Sequence, residues 1–412
     1  MISRPLTAGH SDGGPWHDRA MTGRGPAAGE AAREVAVTAE RCAAQLLSGS
    51  RARDPVDVAE RLLAVQGQDP RGARLAIRAR TAGLFAADVD RALTADRSLL
   101  ITWLNRGTLH LVRSADYWWL HQLTTPPLRA GNARRLGQEG VSPDAADRGV
   151  RVVERSLEQD GPLTRGQLGE RISAAGVRTQ GQALVHVLGL ASLRGICVRG
   201  PMIGSEHAFV LVRDWLGAPP EPVDRDRALA MLARRYLAGH GPATDRDLAK
   251  WAGLPLRDAR RGLTAIASEL GPRDDGLAAL GGPPDRGPLP TPRLLGPFDP
   301  LLLGWASRQP ILGPAAGIVT VNGLFRPFAL VRGRAVATWA MPRGTVEISP
   351  FGRLSAADAA ALDDEALDVT RFLGRPDALR TSSADPALPR PDVKEHPAAR
   401  LAPSPTPTPP HA

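Results

Sequence analysis

Two phrases constrain this chain more than anything else in it: Gly161-Pro162-Leu163-Thr164-Arg165 and Gly241-Pro242-Ala243-Thr244-Asp245. Each sets a threonine before a run with apolar residues at helical spacing, Leu168 and Ile172 in one, Leu248 and Trp251 in the other. A threonine there accepts from the unpaired N–H groups of a first turn, so both phrases predict a helix start. A second helical stretch follows each, GQALVHVLGLASLRG in one and residues 256–267 in the other. In the first copy two short strand patterns come next, ICVRG and HAFVLV. Helix, short turn, helix, ribbon is the element order of a winged helix. An earlier segment has the same grammar: helical spacing over 37–47, 55–65 and 86–93, then the strand alternation of LLITWLNRGTLHLVR.

The expected fold class is therefore α+β. Winged-helix (helix-turn-helix) units are placed at 36–125, 150–217 and 224–285, followed by a β-rich C-terminal part over 293–380. In that last part, Asn322-Gly323 and Arg332-Gly333 are hairpin signals, and AADAAALDDEALDVTRFLG closes it as a helix. Residues 1–35 carry no periodic apolar pattern and read as a disordered arm. The proline-rich stretch over 381–412 reads as a disordered, extended tail, and 274–292 reads as a linker.

Composition narrows the class of function. Two cysteines, Cys42 and Cys197, exclude a disulfide scaffold or a cysteine zinc cluster and fit a reducing compartment. No apolar run approaches the roughly 18 residues of a membrane span, and the N-terminus lacks a signal-peptide core, so the expected location is the cytoplasm, at the nucleoid. Lys plus Arg is 52 against 43 acids, a net charge of +9. That balance favours a polyanionic partner, nucleic acid above all. Nearly all the cations are arginine, which a GC-rich genome also imposes, so charge alone leaves both readings open. There is no phosphate-binding glycine loop, no HExxH, no CxxC and no metal-ligand spacing among the nine histidines. No cofactor or metal is expected.

Longer strings carry a resemblance. RLLAVQGQDP, RGARLAIRAR, RGTLHLVRSADYWWL, LLGPFDPLLLGW and GLFRPFALVRGRAVATW occur in this order. Together they resemble the bacterial winged-helix DNA-binding family that contains the crosslink-unhooking DNA glycosylases of antibiotic-producing actinomycetes. The resemblance covers about 36–375. It implies tandem winged helices around a DNA channel, removal of alkylated purines, and a catalytic pair at Gln66 and Gln68 in VQGQDP, the two-glutamine form associated with self-resistance to a crosslinking natural product. The intervening Gly67 departs from the pattern, where a larger residue is expected.

The residues themselves leave room for a site. On a helix, positions two apart diverge by about 200°, so Gln66 and Gln68 could not face one substrate. Pro70 disfavours helix at Asp69, so the helix from Pro55 is expected to end here and let the amides converge. Two solvated glutamines at a helix end is the competing reading. Arg106, Thr108 and His110 are candidate DNA contacts, His110 pointing into the channel beside the glutamines or else serving as a hydrogen-bonded structural histidine. Tyr117, Trp118 and Trp119 read as core. Arg165 and Arg246, just after the capping threonines, can meet phosphates at helix N-termini. Arg326, Arg332 and Arg334 flank the hairpins as a basic ribbon for phosphate or minor-groove contact. The partner expected is duplex DNA, alkylated or crosslinked, bound by a monomer. The alternative is a non-enzymatic winged-helix regulator, which would prefer one operator and have no use for the glutamines.

Overall fold

In the computed structural model, which describes residues 26–281, 288–314, 317–320 and 322–374, both repeated phrases are capping boxes. Gln167 N donates to the Thr164 hydroxyl at 3.3 Å and Asp247 N to that of Thr244 at 3.1 Å, while the Gln167 and Asp247 side chains accept from the threonine backbone N–H. A second device starts three further helices. Asp54-Pro55, Asp69-Pro70 and Asp299-Pro300 each put an aspartate at the N-cap and a proline, which has no N–H to satisfy, in the first turn.

The first segment runs α1 (Pro26–Ala44), α2 (Pro55–Leu62), β1 (Val65–Gln66), α3 (Pro70–Arg78), α4 (Ala86–Thr94), β2 (Leu99–Leu104) and β3 (Thr108–Arg113). Two helices, α5 (Tyr117–Thr124) and α6 (Pro126–Gln138), lead into α7 (Pro143–Asp160), α8 (Arg165–Ala174), α9 (Ala183–Leu193), β4 (Cys197–Ile203) and β5 (Glu206–Leu211). After a short α10 (Val212–Leu216) come α11 (Arg225–His240), α12 (Asp245–Ala252) and α13 (Leu256–Ala265). Bridges Ala243–Ala278 and Leu270–Leu280 close that group, so residues 278–280 belong to a ribbon and not to the expected linker. The C-terminal part holds β6 (Arg293–Leu295), α14 (Pro300–Leu303), α15 (Gln309–Leu312), β7 (Phe328–Val331), β8 (Arg334–Ala340), β9 (Glu347–Pro350) and α16 (Ala356–Phe372).

All named strands pair antiparallel. The mixture of helix and antiparallel sheet is α+β, as expected. The ribbons of the first two helical groups join into one five-stranded sheet, β1-β3-β2-β4-β5, through Ile101 opposite Arg199. The C-terminal sheet has the order β6-β7-β8-β9. Tyr117 and Trp119 are buried core residues, and Trp118 packs against the same core.

The arm expected over 1–35 ends early, because α1 begins at Pro26. Its run of Ala and Glu suits a helix, and its outer turns are tied down: Glu34 pairs with Arg334 at 2.8 Å and Glu40 with Arg273 at 2.6 Å. Residues 1–25, and the tail expected over 381–412, lie outside the described residues. Two arginines from the end of α3 and just beyond it bind the first group to the C-terminal part. Arg80 and Asp299 are both fully buried and bond through two parallel contacts of 2.8 and 2.9 Å. Arg78 reaches Glu365 at 2.8 Å and Asp368 at 2.7 Å on α16. No helix among the described residues is long and apolar enough to cross a membrane.

Candidate active site

The helix expected through residue 65 stops at Leu62, because Leu63 takes a positive φ of 62°. The chain leaves it extended. Gln66 pairs with His110, and Gly67 N donates to the Leu109 carbonyl at 2.7 Å. Side chains two apart on an extended segment share a face, and Gln66 and Gln68 line one cavity of about 660 Å³. Strand pairing places Gln66 and the bend that follows it places Gln68, where the sequence had suggested a helix end. Gly67 lies between them, just past the end of β1. A Cβ there would lie 3.2 Å from Ile101 Cγ2 and 3.3 Å from Leu111 N, so a larger residue would press against the sheet.

Gln66 is the held member of the pair. It is buried, and its Oε1 lies 3.4 Å from the Thr108 hydroxyl and 3.5 Å from Arg106 Nη2. At these lengths the donors orient the amide more than they saturate it. Arg106 also donates to the Trp251 carbonyl at the end of α12. Burial, and then the nearby Arg308 cation, lower its pKa. Gln68 is exposed at the cavity wall, and among the described residues nothing bonds its amide. The neighbouring Asp69 is engaged as the N-cap of α3, accepting from Gly72 N at 2.7 Å.

Among the described residues the cavity wall is cationic and holds no carboxylate. Arg106, Arg134, Arg135 and His186 line it, together with Thr108, Asn132, Trp103, Phe298 and Leu324, and neither aspartate nor glutamate does. Burial lowers the His186 pKa, Glu139 opposing and Arg135 adding to the effect. Sequence reasoning missed α6, α9 and Phe298 as cavity walls. LLGPFDP marked Phe298 only as part of a family string, and nothing local to α6 or α9 signals a cleft that tertiary packing creates.

Of the expected contacts, His110 requires correction. His110 does not enter the channel. It is buried behind Gln66, its Nδ1 lies 2.9 Å from the Thr108 carbonyl, and burial pushes its pKa down to about 3. The histidine stands opposite Gln66 in the pairing of β1 with β3, while Thr108, two residues earlier, lines the cavity. Arg332 and Arg334 turn to Asp358 (3.3 Å) and Glu34 (2.8 Å), and neither lines the cavity. Acids on α16 and α1 flank that tight turn and take up its arginines. Arg326 is separate from them, exposed where its N–H bonds Ile318 at the base of the Val319–Phe325 bridge. Arg165 and Arg246 are exposed in the first turns of α8 and α12, outside the cavity lining.

The family described as DNA glycosylase AlkZ-like matches residues 59–372, the span that supplies every wall of this cavity. The chain belongs to the AlkZ-like DNA glycosylases. It is similar to the Streptomyces sahachiroi "Interstrand DNA cross-link repair glycosylase", 30% identical over 350 residues, which are 77% of this chain and 90% of that protein. The solved structure of "Streptomyces sahachiroi DNA glycosylase AlkZ" superposes with a TM-score of 0.68 at 26% identity, covering 84% of this chain and 98% of that one. As an AlkZ-like protein the chain is a DNA glycosylase.

Proposed function

We propose that this glycosylase hydrolyses the N-glycosidic bond of cationic N-alkylpurines in duplex DNA, crosslinked purines included, with Gln66 and Gln68 as the catalytic pair. The observation that carries the reading is a cavity with two glutamines on one face and no carboxylate on any. Glutamine does not titrate and cannot serve as an ordinary general base. An N7-alkylpurine does not need a strong one. It is already positive, and its departure neutralises the base while positive charge grows on the sugar. Amide carbonyls orient the attacking water and stabilise the oxocarbenium-like sugar with fixed dipoles. Gln66 is pre-set by Thr108 and Arg106, while Gln68 is unpartnered and able to take the water. Among the described residues no lysine lines the cavity, and the reaction proposed is monofunctional, leaving an abasic site and an uncut strand.

The same reading covers the rest of the molecule. Three helix groups, each closed by a ribbon at 36–125, 150–217 and 224–285, act as tandem winged helices, with the 293–374 part completing the channel. Arg106, Arg134 and Arg135, with Arg165, Arg246 and Arg326 further out, bind phosphates along the duplex. The protein works as a monomer in the cytoplasm at the nucleoid. The test is Gln66→Ala and Gln68→Ala, each assayed for base release from N7-methylguanine DNA and for DNA binding. Release should fall at least about 10²-fold, the scale of losing one preorganised dipole, with binding little changed. Full activity in the double substitution would sink the assignment.

A further inference from the structure

A site for a cationic base has to attract it, and this cavity presents arginines. With no carboxylate in the wall, the negative partial charges left are amide and backbone oxygens and the faces of aromatic rings. Two aromatic residues line the cavity, Trp103 and Phe298. Trp103 already has a cation, for the Arg199 guanidinium sits 5.0 Å from its ring centroid. Phe298 has none among the described residues. Its ring contact is Phe325, 5.3 Å away and tilted by 41°, and Phe325 in turn carries the Arg308 guanidinium at 4.9 Å.

The backbone holds Phe298 at this wall in a conformation bulky residues avoid, with φ at 57°. Both flanks are fixed. Before it, Gly296 and Pro297 lie so close to α3 that a Cβ on Gly72 would be 2.6 Å from the Pro297 carbonyl, and one on Gly296 would be 2.8 Å from Leu75 Cβ. After it, Asp299 is locked to Arg80 and caps α14. The loop cannot relax without breaking one of these contacts, so the half-buried ring is set where the cavity begins.

We infer that Phe298 is a specificity-determining residue, its ring face receiving the positively charged alkylated base and favouring it over the neutral base. The inference rests on the cationic-purine reading above. A cation over a phenyl face is bound more tightly than a neutral ring of the same size. The contact strengthens capture of the lesion. It does not assist bond breaking, since the base loses its charge as it leaves.

The test is equilibrium binding to a duplex carrying 2′-fluorinated N7-methylguanine, whose fluorine blocks departure of the base, against the same duplex with plain guanine. Wild type, Phe298→Ala, Phe298→Leu and Phe298→Trp are compared, with thermal melting as the check on folding. The lesion-to-plain affinity ratio should drop about fivefold in Ala and in Leu and be kept in Trp, the scale of one cation–π contact. A ratio kept by Leu means that apolar bulk suffices and overturns the inference, as does an unchanged Ala ratio or a wild type with no preference. Base release by wild type from the unfluorinated lesion is scored separately. Release with a ratio indifferent to residue 298 sinks the ring's role alone. Absence of release sinks the glycosylase chemistry, while the affinity ratio still reports on the ring.

Discussion

Gln66, the proposed catalytic amide, shows how little of a side chain's behaviour is its own. Its carbonyl faces Thr108 and Arg106 from a neighbouring strand and the turn before it, and Arg106 is braced on the Trp251 carbonyl of a third helix group. Thr108 carries no charge, so Thr108→Val separates orientation of the amide from attraction of DNA. Single-turnover base release at saturating DNA should slow about tenfold in that variant, with half-saturation unchanged, because a loosened group loses near-attack geometry. Arg106→Ala should slow release and weaken binding together. Equal effects of the two substitutions on binding would show that Thr108 acts as a DNA contact instead. That Gln66 and Gln68 belong to one cavity agrees with the family strings that singled them out, but their geometry was not legible. Whether VQGQ is a helix end or a strand depends on β3, more than forty residues away, and on Gly67 admitting a close neighbour.

At the scale of elements, α3 is the part that joins the catalytic strand to everything behind it. Its N-cap is the residue after Gln68, and Arg78 and Arg80 leave its far end for buried acids of the C-terminal part. Arg80→Leu would leave Asp299 buried without its partner, and stability in urea should fall by about 3–5 kcal/mol. Adding Asp299→Leu should return part of that loss, since the uncompensated charge goes with it. No recovery in the pair would mean that the arginine acts through packing alone. Capping threonines, Asp-Pro starts and the Asn-Gly turn could be read from the sequence because their physics is local. The early start of α1 and the burial of Arg78 and Arg80 in RGARLAIRAR could not, since their partners lie roughly 200 residues or more away in the chain, and the pairing of 278–280 with Ala243 and Leu270 is carried by single bridges that leave no strand pattern to read.

For the molecule as a whole, acid sensitivity follows from histidines folded in as neutral rings. His110 and His240 are both buried, and burial pushes each pKa down to about 3 from 6.5. His240 stacks on Tyr236 at 4.9 Å, with Trp251 and Trp305 beside it. The unfolded chain takes up protons that the fold refuses. Their contribution is therefore complete above about pH 6.5 and is lost as pH falls from there toward 3. At pH 5.5 each should cost about 1 kcal/mol relative to pH 7.5, read as a lower urea midpoint. His240→Asn, which keeps a donor for the Tyr236 carbonyl, should reduce that drop. A midpoint independent of pH over this range would contradict the buried neutral state.

The single sheet shared by the first two helix groups has a mechanical meaning. Gln66 stands on its first strand, Trp103 on its third, and α9, with His186, packs across β2 and β4. The strands that carry Gln66 and Trp103 are thus part of one hydrogen-bonded plate, which the β4-β5 ribbon joins through Ile101 opposite Arg199. A plate of this kind does not close on its target like a pair of jaws. Under the proposed reading, a double helix held along that seam would be accommodated by its own bending and unstacking, the sheet serving as a mould against which the deformed strand is read.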